Sequence, residues 1–111
     1  MDVGDDVVVV GGETVHTTAI EWLMIGHPAV AESAAVGVRN DELGHAIKAF
    51  VVLNRGYEPL DEIKDALIER VRSELGDAAA PRSMVFVESL PKTRSGKLLR
   101  RSLLDDDAEN H

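Results

Sequence analysis

Two runs of strand-forming residues, 30–38 and 46–53, are separated by only seven residues, and that spacing limits the fold more than any other feature of the chain. A parallel return between neighbouring strands needs a crossover of about a dozen residues or more. Seven cannot supply one, so the two runs are expected to pair antiparallel, with 39–45 (Arg39-Asn40-Asp41-Glu42-Leu43-Gly44-His45) as a polar connection. The second run carries the clearer period of two. Ile47, Ala49, Val51 and Leu53 fall on one face, and Phe50 and Val52 on the other.

The flanking segments read as a mixture of elements. Residues 1–10 form a small, acidic lead-in ending in four valines. Gly11-Gly12 punctuates it, and Glu13 to His16 reads as the return arm of a short hairpin. Ile20, Leu23 and Met24 at helical spacing predict a helix over 18–26. Thr17 or Thr18 stands as its cap, Trp22 and Ile25 widen its apolar face, and Gly26 and Pro28 close it. Pro59, then Asp61 and Glu62, mark a second helix start. Leu60, Ile63, Leu67, Val71 and Leu75 form its stripe, read as core, and Gly76 ends it. Residues 83–88 read as a third strand, 91–96 as a loop, and 97–104 as a short basic helix. The expected class is α+β: a small three-stranded, mainly antiparallel sheet with flanking helices and an N-terminal two-stranded hairpin.

Composition removes several kinds of chemistry. There is no cysteine among the 111 residues, which excludes disulfides, thiolate metal sites and cysteine nucleophiles. The net charge of −8 argues against a general nucleic-acid binder. The longest strictly apolar run is Val7 to Val10, too short to span a bilayer. Acids at Asp2, Asp5 and Asp6 stand where a signal peptide would carry basic residues, so a cytoplasmic location is expected. His16, His27, His45 and His111 are too far apart in sequence to form a local metal pair, and no metal site is expected. For His27, beside Pro28, a hydrogen bond from the ring to a carbonyl is expected. No G-x-S-x-G, G-x-x-x-x-G-K-[ST] or G-x-G-x-x-G pattern occurs.

One segment reverses the charge. Pro91 to Arg101 holds five basic residues and no acid, leaving 7 basic against 20 acidic residues elsewhere. Pro91 and Gly96 bend the loop, and Ser95-Gly96 presents Lys97 at a helix start. A helix N-terminus already carries partial positive charge, which makes a lysine there unfavourable unless an anion lies between the ammonium and the free N–H groups.

Pro91-Lys92-Thr93-x-Ser95-Gly96-Lys97 resembles the carboxy-terminal signature of the adenylate-forming enzymes, which include acyl-CoA synthetases, adenylation domains and luciferases. Six specified positions recur by chance with a probability on the order of 10⁻⁷ per starting position at average residue usage. Asp5-Asp6-Val7 with Gly11-Gly12 is similar to the segment that opens that domain. His27 to Glu32, Val36-Gly37-Val38, Ala49 to Leu53 and Gly56 to Pro59 follow in the family's order, over about 5–104. Leu75 to Pro81 most resembles the acetyl- and propionyl-CoA synthetase branch.

The resemblance implies a mobile lid (11–104) behind a hinge segment (1–10) and ahead of an acidic tail (105–111). It implies an ATP-dependent acyl-CoA synthetase, forming an acyl-adenylate and then acyl-CoA and AMP. By position, Lys97 corresponds to the adenylation lysine and a target of reversible acetylation, Asp5 to the hinge, and Gly11 and Gly12 to the coenzyme A-facing segment. ATP and Mg2+ would be bound mainly by an N-terminal adenylation domain on the same or a partner chain, with a small carboxylate and coenzyme A as the other substrates. The chain departs from the family pattern at Glu13 and Thr14, where an aromatic or histidine and then an arginine are common, and at Val9 and Ala19, while Glu21 is kept. Two other readings remain open at this point: a free-standing, non-enzymatic module that binds a partner, and the lid of an adenylation domain that loads a carrier protein.

Overall fold

The computed structural model describes residues 7–90. The hinge position Asp5, the signature loop with Lys97, the expected helix over 97–104 and the acidic tail lie outside the described residues.

The described residues open with a hairpin, β1 (Val7–Val10) and β2 (Glu13–His16), paired from Val7↔His16 to Val10↔Glu13. Two residues connect the strands, and such a turn matches strand twist when both have positive φ. Gly11 and Gly12 supply this at 56° and 87°. Val10 and Val15 turn inward and are buried, whereas Val7 and Val9 face out.

Helix α1 (Thr17–Ile25) follows β2 with no spacer. His16 is its N-cap, and its side chain makes no capping bond. Thr17 lies one position inside the helix and is fully buried, so neither threonine caps it as the sequence suggested. Ile20 and Met24 are buried completely. The apolar face is narrower than expected: Trp22 is 77% exposed and Ile25 44%.

The main sheet is β3 (Val30–Asn40), β4 (Gly44–Leu53) and β5 (Ser83–Phe86), in the order β3-β4-β5. The β3–β4 pair is antiparallel, as the short connection requires, and its register runs from Val30↔Leu53 to Asn40↔Gly44. β5 joins β4 in parallel, from Lys48↔Ser83 to Val51↔Phe86. That direction is possible because α2 (Asp61–Leu75) forms the crossover between the two strands. The α+β class with its hairpin and three-stranded sheet is the one observed.

Each side of the sheet has its own apolar layer, divided as the period of two in β4 predicts. Ile47, Ala49 and Val51, with Ala35 and Met84, meet Ile20, Met24, Leu67, Val71, Val10 and Val15. Ala34, Val36, Phe50 and Leu90 form the second cluster, with Val38, Val52, Val85 and Val87 against it. Only the centre of the α2 stripe is core. Leu67 and Val71 are fully buried and Ile63 packs at the edge, while Leu60 and Leu75 are 47% and 41% exposed. Leu60 is extended and precedes the first helical turn, which takes it off the helical stripe.

Polar contacts lock these pieces together. The Glu21 carboxylate accepts the Ala35 N–H at 2.8 Å, and Ser33 Oγ donates to the Glu21 carbonyl at 3.0 Å, fastening α1 to the edge strand β3. Arg70 Nε on α2 donates to the Leu23 carbonyl in the last turn of α1 at 2.6 Å, where a cation also suits the helix dipole. The hairpin meets the sheet at Gly37: a Cβ there would stand 2.7 and 2.8 Å from the two γ-methyls of Val8.

Candidate functional site

The site begins at the hairpin tip. The Gly11 N–H donates to the Leu43 carbonyl at 3.0 Å, which ties the tip to the β3–β4 turn. Leu43 reaches that place through local turn chemistry. Asn40 Oδ1 accepts the N–H groups of Glu42 (3.0 Å) and Leu43 (2.9 Å), and Gly44 closes the turn with φ of 82°. The Leu43 side chain is close as well, since a Cβ on Gly11 would lie 3.2 Å from Leu43 Cδ2. Gly12 differs: nothing stands within 4 Å of where its Cβ would be. One glycine of the pair is therefore clamped and the next leaves its backbone open to an approaching ligand.

An open depression beside this turn is lined by Arg39, Asn40, Asp41, Gly44 and His45, with Arg39 and His45 paired across the strands. Glu13 and Thr14, the positions that depart from the family pattern, are exposed on the return arm of the hairpin. Among the described residues no three His, Asp or Glu side chains gather as a metal-ligand set, and no helix is long and apolar enough to cross a membrane.

Other residues noted in the sequence serve the fold. Glu21 is consumed by its bond to Ala35. Among the described residues the His27 ring meets no carbonyl as a donor; instead its Nδ1 accepts the Ala29 N–H at 3.1 Å across the Pro28 corner. Asn54 closes the same corner, its Nδ2 donating to the Pro28 carbonyl at 2.9 Å and its backbone N–H to the Ala29 carbonyl at 2.8 Å. Of the predicted site residues, Gly11 and Gly12 lie together at the tip, and Asp5 and Lys97 fall outside the described residues. Leu90, the last described residue, is packed in the second apolar cluster, so the chain reaches Pro91 from a fixed point. Sequence reasoning missed the partnership of Gly11 with Leu43. The one available signal was Asn40 followed by Gly44, a turn pattern inside a stretch read only as polar connection.

The model of the AMP-binding enzyme C-terminal domain family matches residues 19–97. An acetyl-coenzyme A synthetase of Desulfatibacillum aliphaticivorans is 48% identical over 99 residues, which cover 89% of this chain and 15% of that protein. The crystal structure of an acyl-CoA synthetase from Brucella canis superposes with a TM-score of 0.91 at 36% identity, over 99% of this chain and 20% of that one. The ATP-bound RpMatB-BxBclM chimera B1 gives 0.85 at 32% identity, over 91% of this chain and 20% of the chimera. The chain thus spans about a seventh of the length of the curated relative it matches. With a family match over more than half of its residues, this chain belongs to the family of AMP-binding enzyme C-terminal domains.

Proposed function

We propose that this chain acts as the mobile C-terminal lid of a cytoplasmic, ATP-dependent acyl-CoA synthetase and supplies its adenylation lysine, Lys97. The observation that carries the reading is the 48% identity with an acetyl-coenzyme A synthetase over 99 residues, a span that reaches into the Pro91–Lys97 signature. In the first step a substrate carboxylate oxygen attacks the α-phosphorus of ATP, the bond to the β-phosphate oxygen breaks, and pyrophosphate leaves. In the second, the coenzyme A sulfur attacks the acyl carbon, losing its proton, and AMP departs.

The residues present suit a lid rather than a whole enzyme. Lys97 puts a compact ammonium on a long stem, able to meet the charge that spreads over the phosphoryl oxygens without transferring a proton. Asp5 would serve as the hinge, and Gly11 and Gly12 would face coenzyme A, where the open backbone at Gly12 admits close approach. ATP, Mg2+ and the carboxylate belong in this scheme to an N-terminal domain on the same or a partner chain. Closing the lid would also keep water from the adenylate. Acetylation of Lys97 would remove its charge and stop the first step.

The test is acid-dependent exchange of pyrophosphate into ATP by the full-length protein. Lys97→Ala should lower it by about 10²–10³, the typical cost of one preorganised contact to a transition state. Full exchange activity in that variant would refute the assignment. A second reading, a free-standing module that binds a partner, is favoured only by Glu13, Thr14 and Ala19. It requires that the intact gene product show no exchange with any carboxylic acid.

A further inference from the structure

We infer that the β3–β4 turn positions the hairpin tip for the thioester-forming step, with Asn40 and Leu43 as its positioning residues. The inference rests on the reading of Gly11-Gly12 as the coenzyme A-facing segment.

A two-residue turn at the end of four-residue strands is held at its base by the ladder and has little to fix it at the apex. Among the described residues the apex has one backbone tether outside the hairpin's own ladder, from Gly11 N–H to the Leu43 carbonyl at 3.0 Å. The acceptor is itself constrained. Two bonds to Asn40 Oδ1 set the path of residues 42–43, and Gly44 at φ of 82° reverses the chain into β4, whose inner face is core. Leu43 packs against the same core, so the carbonyl and side chain of one residue join the tip to the rigid sheet. Leu43 Cδ2 fills the space beside Gly11, while the space beside Gly12 is empty. The clamp therefore closes one side of the tip and leaves the other for ligand. It also bears on the replaced positions: with Glu13 and Thr14 offering no cation beside the glycines, backbone placement carries more of the work of presenting the tip to a thiol-bearing arm.

The experiment uses the full-length enzyme and two readouts, pyrophosphate–ATP exchange and acyl-thioester formation across a range of free coenzyme A. Asn40→Ala removes the acceptor of both turn bonds at a half-buried site where water can replace it. Leu43→Ala removes the side-chain contact but leaves the carbonyl. Both variants should slow thioester formation by about tenfold, since misplacement by about 1 Å can cost up to 10². Exchange should stay within about twofold of wild type, and the loss should appear as a raised KM for coenzyme A. Asn40→Asp, which keeps an acceptor oxygen, should restore the rate. Equal losses in both half-reactions, or no loss in either, overturn the inference while leaving the enzyme assignment standing. A wild-type protein that exchanges pyrophosphate but forms no thioester overturns the coenzyme A reading and this inference with it.

Discussion

Replacing Gly37 by alanine should destabilise the chain, and the structure gives the size of the effect. The glycine has no positive φ, so alanine meets no backbone penalty there. In a strand interior the change alone would gain about 0.5–1 kcal/mol from reduced chain entropy. Against that, the new methyl carbon would sit 2.7 and 2.8 Å from Val8 Cγ1 and Cγ2 and 3.3 Å from its Cβ. Van der Waals contact needs about 3.5–4.0 Å, so the hairpin must move or Val8 must leave its rotamer. Valine is stiff about χ1 and one rotation does not clear both methyls. Overpacking of this kind costs about 1–3 kcal/mol, and the net loss should be about 1–2 kcal/mol. Thermal unfolding should then fall by roughly 5–15 °C for a chain of this size. The sharper assay is a double-mutant cycle in urea. Val8→Ala removes both clashing methyls, so in that background Gly37→Ala should become neutral or stabilising, a coupling of about 1–3 kcal/mol. A Gly37→Ala protein as stable as wild type, or equal losses in both backgrounds, would refute the close crossing of β1 over the sheet.

Further expectations concern the fold's fasteners. Glu21→Ala should cost about 1–3 kcal/mol in urea unfolding by leaving the Ala35 N–H without its acceptor, whereas Glu21→Gln, which keeps an acceptor oxygen, should recover most of the loss. Leu67→Ala, at a fully buried position, should cost about 2–5 kcal/mol, while Leu75→Ala, at the exposed end of the same stripe, should stay below about 1 kcal/mol. Comparable losses at both leucines would place the core of α2 wrongly.

What could be read from the sequence follows the range of the interactions involved. The two faces of β4 were legible because a period of two is local, and Phe50 and Ile47 do lie in different clusters. The antiparallel β3–β4 pair followed from the length of its connection. The direction of β5 did not, since the crossover before it is long enough for either sense, and pairing with β4 decided it. Trp22 and Ile25 were assigned to the apolar face of α1 by composition, but only Ile20 and Met24 are fully buried there, because β3 and α2 cover a narrow stripe. Thr17 looked like a cap because threonine often is one. β2 runs straight into the helix, so the cap position falls on His16 instead. Within the site, Gly11-Gly12 was legible as a turn from residue type alone. Its attachment to Leu43 joins segments distant in sequence; Asn40 and Gly44 signal the turn that holds Leu43 but not what that turn meets. Asp5 was singled out through resemblance and Lys97 through resemblance and its basic surroundings, and both lie outside the described residues.

The absence of any spacer between β2 and α1 has a mechanical consequence. The hairpin is coupled to the helix at His16–Thr17, the helix to β3 through Glu21, and the hairpin apex to the sheet through Leu43. These three attachments form a closed truss, and a truss has no internal joint. A reorientation of the glycine apex would have to carry the hairpin, the helix and the sheet together, as a single lever.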